Sequence, residues 1–443
     1  MLLRFGVSNY KSIKDYQEIS LMASSLKEEP SHLLSHDAVK GNVLPAVGIY
    51  GANASGKSNI LKAFQFMIRG ILESQVRGKV EGGVHRKPFK LDEKFKEEPS
   101  SFDCDFVLED TRYHYGFKVD SKKVLEEWLY AYPAGKRQVR QVWYHRSLEE
   151  ENEFSFSEKH LKGQNKVIES LTRNNSLFLS AAAQNNHEKL TPIYNYFKDN
   201  FKFRLHQVEL DHVSTSKFLQ EDSIRLWVLD FLKLADTGIS EMKIEEIEVP
   251  SEMKPLMNAL SSTFKKHLPE NAPNEFDRAM ERLNGGAVKT LTLGHTVASG
   301  DIVFLNLQEE SRGTMALLSI LGPVYIALRD GSTLTVDEVD ASMHTKLSKR
   351  LLKLFNNKKT NPNGAQLIFA THDTNLLCKG YIRRDEVWFT EKDAGGATHI
   401  YPLTQYRVRK EDNLEKGYIA GRFGGVPFDD GLDDLFHRFE EEA

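Results

Sequence analysis

Gly51-Ala52-Asn53-Ala54-Ser55-Gly56-Lys57-Ser58 is the stretch that most constrains this chain. It has the form G-x-x-x-x-G-K-S, which requires a strand before it and a helix after it. Both patterns are present. Leu44 to Tyr50 (LPAVGIY) is an apolar run of strand length, and Ser58 to Gln75 carries Leu61, Phe64, Ile68, Ile71 and Leu72 at helical spacing. A Gly-rich turn that merely preceded Lys-Ser would lack this frame. The physics is anion capture. Glycines let the backbone wrap a phosphate chain, successive N–H groups point inward, and the helix N-terminus adds partial positive charge. The candidate nucleotide-binding residues are Gly51, Asn53, Ala54, Ser55, Gly56, Lys57, Ser58 and Asn59. Lys57 would neutralise the β- and γ-phosphates, and Ser58 would place its hydroxyl on Mg²⁺.

The 443 residues suffice for two or three domain-sized units. With 40% hydrophobic and 28% charged residues, the composition is that of a soluble globular protein. The net charge of −4 provides no global pull toward nucleic acid or anionic membrane, so any DNA contact needs a local basic patch. Cys104 and Cys378 are too far apart in sequence for a disulfide framework or a zinc motif and read as reduced, structural cysteines. The opening MLLRFGVSNYKSIKDYQEI has no signal-peptide core. No stretch approaches the roughly 20 apolar residues of a membrane span. The expectation is a cytoplasmic protein with no membrane contact.

Leu2 to Val7 reads as a first strand and Lys14 to Met22 as a second. Phe102 to Leu108, Tyr113 to Val119, Glu126 to Tyr132 and Gln141 to His145 read as an antiparallel meander, rich in Phe, Tyr, Val and Trp and separated by turn residues. Lys136, Arg137, Arg140 and Arg146 lie near one of its turns, either as a solvated hairpin end or as a phosphate-backbone contact. From Glu158 to Pro273 the pattern is mostly helical, with helices expected over Leu177 to Ala183, Ile193 to Phe201, Ile224 to Leu234 and around Met253 to Phe264. Ile239 to Val249 alternates as a strand does. After Ala287 the β pattern returns in Lys289 to Leu293 and Ile302 to Leu307. The expected division is therefore 1–150, a mostly helical insertion 151–287, 288–405, and a C-terminal extension 406–443.

Thr333 to Asp337-Glu338 is a short strand ending in two acids. In a chain with a phosphate loop, Asp337 would hold Mg²⁺ and Glu338 would orient and deprotonate an attacking water. Val339-Asp340-Ala341-Ser342-Met343-His344 follows, and Gln366 to Thr371 is a further strand ending at His372. The carboxyl edge of such a sheet is where nucleotide sites form, which places His372 as a γ-phosphate contact. Upstream, Ser311-Arg312-Gly313-Thr314 opens an apolar helix, Met315 to Leu321, with Gly322-Pro323 expected to end it. A Ser at a helix start is either a plain cap or a second anion-binding end.

These elements resemble the ABC-type ATPase heads of the OLD, RecF and SMC group. The order Walker A, signature, Walker B, D-loop, switch histidine is that of Gly51–Ser58, Ser311–Thr314, Thr333–Glu338, Val339–His344 and His372. Ser311-Arg312-Gly313-Thr314 departs from the transporter signature L-S-G-G-Q and resembles the soluble bacterial variant. RVRKEDNL from Arg407 and YIAGRFGGVP from Tyr418 are similar to the prokaryotic "AAA family ATP-binding protein" branch typified by RloA and the PARIS ATPase. No Q-loop glutamine is assigned. The resemblance implies an α/β P-loop NTPase fold: an ABC-ATPase-like head with an antiparallel β lobe and a mostly helical insertion.

It also implies a homodimer binding ATP and Mg²⁺. Lys57, Ser58 and Asp337 would come from one subunit, and Ser311, Arg312, Gly313 and Thr314 from the other. Asp340 and Ser342 would form the D-loop, and Glu338 and His372 would be catalytic. About seventy residues follow His372, too few for a nuclease domain, so the branch implies an ATPase sensor or scaffold for a separately encoded effector in anti-phage defence. The alternative is a RecF-like repair ATPase that binds nucleic acid through local basic patches. A GTPase is disfavoured because no N-K-x-D or T-K-x-D motif occurs. In the acidic tail, Leu432, Leu435, Phe436 and Phe439 fall at helical spacing, so it reads either as a solvated end or as a docking helix.

Overall fold

The computed structural model of the chain describes residues 1–29, 32–79, 81–135, 137–205, 219–248 and 287–426. The helix expected around Met253 to Phe264, the acidic tail from Asp429, and Lys136 lie outside them. Two compact units make up the fold: Met1–His206 with Ile326–Ala443, and Gln207–Tyr325. The divisions expected at 150 and 287 therefore fall elsewhere. Residues 151–205 stay with the first unit because its sheets use them: Phe154–Phe156 and Phe201–Arg204 each supply an edge strand.

Six strands form the sheet that carries the phosphate loop. In chain order they are β1 (Ala46–Gly51), β2 (Phe201–Arg204), β3 (Thr333–Val336), β4 (Gln366–Ala370), β5 (Val387–Lys392) and β6 (Thr398–Pro402). Their spatial order is β2-β3-β4-β1-β5-β6. All pairings are parallel except β5 with β6. Every residue of β1, β3 and β4 is buried, as expected of parallel strands covered on both faces. The helix expected to run to Phe201 stops at Asp199, and Phe201 opens β2 instead. Its ring packs 5.2 Å from Phe64, and the Thr333 amide donates to the Asn200 carbonyl at 2.8 Å, so the sheet edge claims this residue.

The other sheet is fully antiparallel and has seven strands. Its order is Phe154–Phe156, Gln141–Ser147, Val124–Pro133, Thr111–Val119, Ser100–Leu108, Leu2–Ser8 and Gln17–Ser20. The meander is thus extended on one side by the two N-terminal strands. The helix Lys57–Arg77 lies between the sheets. Phe64 on this helix is 4.8 Å from Phe5 of the antiparallel sheet and 5.5 Å from Phe203 of β2. Gln366 of β4 fastens the sheets directly. Its Oε1 accepts from the Leu2 amide at 2.7 Å, and its Nε2 donates to the Leu2 carbonyl at 2.9 Å.

Two buried acids hold local structure. Glu127 accepts from the amides of Phe178 and Leu179 at 2.5 and 3.0 Å, and from the hydroxyls of Tyr115 and Tyr144 at 3.0 and 2.8 Å. It thereby tethers the start of the helix Phe178–Gln184 to the antiparallel sheet. Glu386, just before β5, accepts from the Arg383 amide at 2.8 Å, and burial pushes its carboxyl up to about 8.

In the second unit, the helix Asp222–Leu234 buries Ile224, Val228, Phe231 and Leu232. Ile239–Glu248, Ala287–Thr296 and Ile302–Asn306 form a three-stranded antiparallel sheet. The β patterns read at Ile239 to Val249, Lys289 to Leu293 and Ile302 to Leu307 thus pair as one sheet, with Val249 outside the described residues. The helix expected to end at Leu321 runs from Arg312 to Asp330 with Pro323 inside it. Val324, Ala327 and Leu328 beyond the proline are buried, and that burial offsets the lost backbone hydrogen bond. Among the described residues no helix is long and apolar enough to cross a membrane.

Candidate functional site

β1 delivers the chain into the loop, and the helix begins at Lys57 with Gly56 in the left-handed region at φ 116°. A Cβ at Gly56 would overlap the Thr398 side chain, so the position requires glycine for space as well as for φ. Ala54 is also left-handed, at φ 61°, which turns successive amides toward one concavity. Asn53 and Ala54 are exposed at the crown, whereas Ser55 and Lys57 are buried. The Lys57 ammonium donates to the Gly51 and Ala52 carbonyls at 2.7 and 3.0 Å, closing the loop on itself. Burial lowers its pKa to about 8, against the opposing pull of Asp337, Asp340 and Glu338.

The ends of β3 and β4 converge on this loop. At the end of β3, the Ser58 hydroxyl donates to Asp337 Oδ1 at 3.1 Å. Burial raises the Asp337 carboxyl, while the Ser58 bond and the nearby Lys62 charge oppose that rise. A hydroxyl and a carboxylate are hard oxygen donors, suited to Mg²⁺ that keeps most of its waters. No group of three or more His, Cys, Asp or Glu suited to a metal occurs among the described residues, so such an ion would rest on this pair and on phosphate oxygens. Glu338 follows at φ 55°, a left-handed backbone that an L residue adopts only under constraint, and it is half-buried.

Asp340 ties the next turn to the end of β4. Its Oδ1 accepts from the Thr371 hydroxyl at 2.5 Å and from the His372 amide at 3.3 Å. Ser342 is left-handed at φ 58° and exposed. Loss of solvent around the ring, and then the Lys57 charge, hold the His372 imidazole below its usual pKa, so it is neutral at pH 7. Lys57, Asp337, Glu338, Asp340 and His372 thus share one electrostatic neighbourhood in the first unit.

The stretch Ser311 to Thr314 belongs to the second unit. Ser311 caps the helix Arg312–Asp330: its hydroxyl accepts from the Thr314 amide at 3.1 Å and lies 2.9 Å from the Thr314 hydroxyl. Ser311 and Arg312 are exposed. Just before them, Glu310 pairs with His295 at 2.7 Å.

The basic turn of the meander divides. Arg146 is fully buried, donating to the Ser176 carbonyl at 2.8 Å and to Glu153 at 2.7 Å, so it is unavailable to a phosphate backbone. Arg140 is exposed and stacks 3.8 Å over Tyr130. Thr390 and Thr398 hydrogen-bond to Ser55 of the phosphate loop, Ser12 bonds to Thr398 and Asn59, and motif reading missed all three. Serine and threonine in a strand or a turn carry no spacing signal that would single them out.

The family described as "AAA domain, putative AbiEii toxin, Type IV TA system" matches residues 46–378, more than half of the chain. The chain belongs to that family. Its match spans β1 to β4, and hence the loop, Asp337, Glu338 and His372. The family and the sheet together make this an α/β AAA domain, and the family implies that it binds ATP.

Three of the solved structures similar to it are an SMC head, a second SMC head and a RecF protein. The SMC head bound to the C-winged helix domain of ScpA is 14% identical, with 90% of this chain and 96% of that one covered at a TM-score of 0.37. An SMC head with an extended coiled coil, bound to the C-terminal domain of ScpA derived from Pyrococcus furiosus, is 13% identical, with 95% and 98% covered at 0.37. The recombination mediator protein RecF-ATPrS is 15% identical, with 90% and 98% covered at 0.27. No curated protein matches the sequence.

Proposed function

We propose that this AAA domain binds ATP with Mg²⁺ and hydrolyses it to ADP and phosphate. The observation that carries the reading is the pairing of Ser58 with Asp337 across 279 positions, beside Lys57 in the closed loop. Lys57 exchanges its two carbonyl partners for phosphate oxygens. Ser58 and Asp337 would hold Mg²⁺, which would supply neutralisation of phosphate charge. Glu338, held in a constrained backbone one residue beyond Asp337, orients the water and takes its proton. Neutral His372 donates to the γ-phosphate.

Ser311, Arg312, Gly313 and Thr314 are the signature presented by a second copy. An exposed, capped helix start is an anion-binding end, and it acts when another subunit brings it to the phosphates. ATP then joins two heads and hydrolysis releases them, with Asp340 and Ser342 at the joint. The wider role is that of a sensor or scaffold for a separately encoded effector in anti-phage defence, the branch that RloA and the PARIS ATPase typify. The toxin–antitoxin wording of the family description likewise implies a second protein. The RecF-like reading has less support, because burial of Arg146 removes one cation from the only basic cluster that the sequence singled out.

Native mass spectrometry of tagged Glu338→Gln protein, purified from its own host with ATP and Mg²⁺, tests this. An ATP-bound dimer with a second protein at fixed stoichiometry supports the whole reading. A dimer retaining DNA and no protein favours the repair role. A monomer refutes the two-copy site.

A further inference from the structure

The phosphate loop is stitched at both ends through its middle residue, Ser55, by groups outside every nucleotide motif. The Ser55 carbonyl accepts from the Thr398 hydroxyl of β6 at 2.9 Å. Thr398 Oγ1 also lies 2.8 Å from Ser12 Oγ, and the Asn59 side-chain amide donates to Ser12 Oγ at 2.7 Å. A hydroxyl has one proton, and a carbonyl can only accept. The Thr398 proton therefore goes to Ser55, which requires Ser12 to donate to Thr398 and to accept from Asn59. Every bond then points the same way: Asn59 to Ser12 to Thr398 to the Ser55 carbonyl.

A second chain runs from the Ser55 side chain. Its Oγ lies 2.6 Å from Thr390 Oγ1 of β5, which donates to the Tyr50 carbonyl at 3.3 Å. By the same count, Ser55 donates to Thr390. One chain ties Ser55 to the residue before the loop and the other to the first turn of the helix. Ser55, Thr390 and Thr398 are all buried, so water cannot replace these partners cheaply.

We infer that Thr398 and Thr390, with Ser12, are positioning residues of the nucleotide site: they fix the loop that binds the phosphates. The inference rests on the reading of the loop as a nucleotide site and adds residues that no motif marks. Loss of the Thr398 chain forgoes two hydrogen bonds, worth together about one factor of ten in affinity.

The test compares wild type, Thr398→Val and Thr398→Ser. Isothermal titration calorimetry with Mg²⁺ and ATP measures affinity, thermal melting measures fold, and amide hydrogen exchange over residues 51–59 in nucleotide-free protein measures loop order. Thr398→Val is expected to bind about tenfold more weakly and to exchange faster in the loop, with a melting midpoint lowered by no more than a few degrees, and Thr398→Ser restores both the affinity and the loop exchange. Unchanged loop exchange and unchanged affinity in Thr398→Val overturn the inference. Where Thr398→Val fails to fold, Ser12→Ala at a half-buried position decides instead: faster loop exchange supports the chain, and wild-type exchange refutes it. Wild type that fails to bind ATP sinks the functional reading alone, since loop exchange still decides the positioning role.

Discussion

Lys57 couples nucleotide binding to proton uptake, and the size of the effect follows from its surroundings. In the closed loop its ammonium is buried against two carbonyls, and burial brings its pKa from 10.5 to about 8. Phosphate oxygens replace those carbonyls with full negative charges, which restores the usual lysine pKa or raises it further. Binding therefore takes up a proton wherever the free site has lost one. At pH 9 the free amine is about nine-tenths neutral, so binding takes up about 0.9 proton; at pH 7.5 it takes up about a quarter of one. Across the whole window from about 8 to 10.5 the affinity falls by about 3 kcal/mol, and below about pH 7 it is level. The contribution of Lys57 to folding has the opposite slope. The unfolded chain binds more protons across that window, so stability from this group rises with pH there and its cost is full below pH 8. Calorimetry at pH 7.5 and 9, each in two buffers of different ionisation enthalpy, gives the proton count directly. Equal uptake at the two pH values refutes the coupling.

Three other outcomes follow from the same geometry. Glu338→Gln is expected to retain ATP and to lose at least a hundredfold in turnover, the usual share of a general base, measured by phosphate release; wild-type turnover removes Glu338 from that role. Glu127→Ala leaves two helix amides and two tyrosine hydroxyls without their acceptor, and a loss of about 3 kcal/mol or more in chemical denaturation is expected; a change within 1 kcal/mol, the ordinary net worth of one bond, refutes the tether. Glu386 has a folded pKa raised to about 8 from 4.5, so its stabilising protonated state is lost as pH rises through that window. Glu386→Gln should gain on wild type in melting temperature between pH 5 and pH 8, and a pH-independent difference contradicts the assignment.

The chemistry of the site was legible in the sequence to the extent that it sits in short motifs. Gly51 to Ser58 needs its strand and helix within a few residues, and Asp337 and His372 each close an apolar run. The order of the sheet was not legible. β1 pairs with strands that begin at 366 and 387, and nothing local in LPAVGIY selects those partners. Phe201 was assigned to a helix because an apolar residue at the end of NYFKDNF fits helical spacing; its burial against Phe64 is a long-range fact. Arg146 read as part of a basic turn because Lys136, Arg137 and Arg140 precede it within ten residues, and only the fold brings Ser176 and Glu153 to it. Pro323 ended a helix on paper because local rules weigh the missing N–H and cannot see the burial beyond it.

The amide of Gln366 has a mechanical consequence. It clamps both backbone groups of Leu2, so the first strand cannot slide or pivot against β4 without breaking two buried hydrogen bonds together. β4 also leads through Thr371 to His372, so the clamp joins the antiparallel sheet to the strand that carries the histidine. A load applied to the first strand would be passed at Leu2 to β4 for as long as this clamp holds.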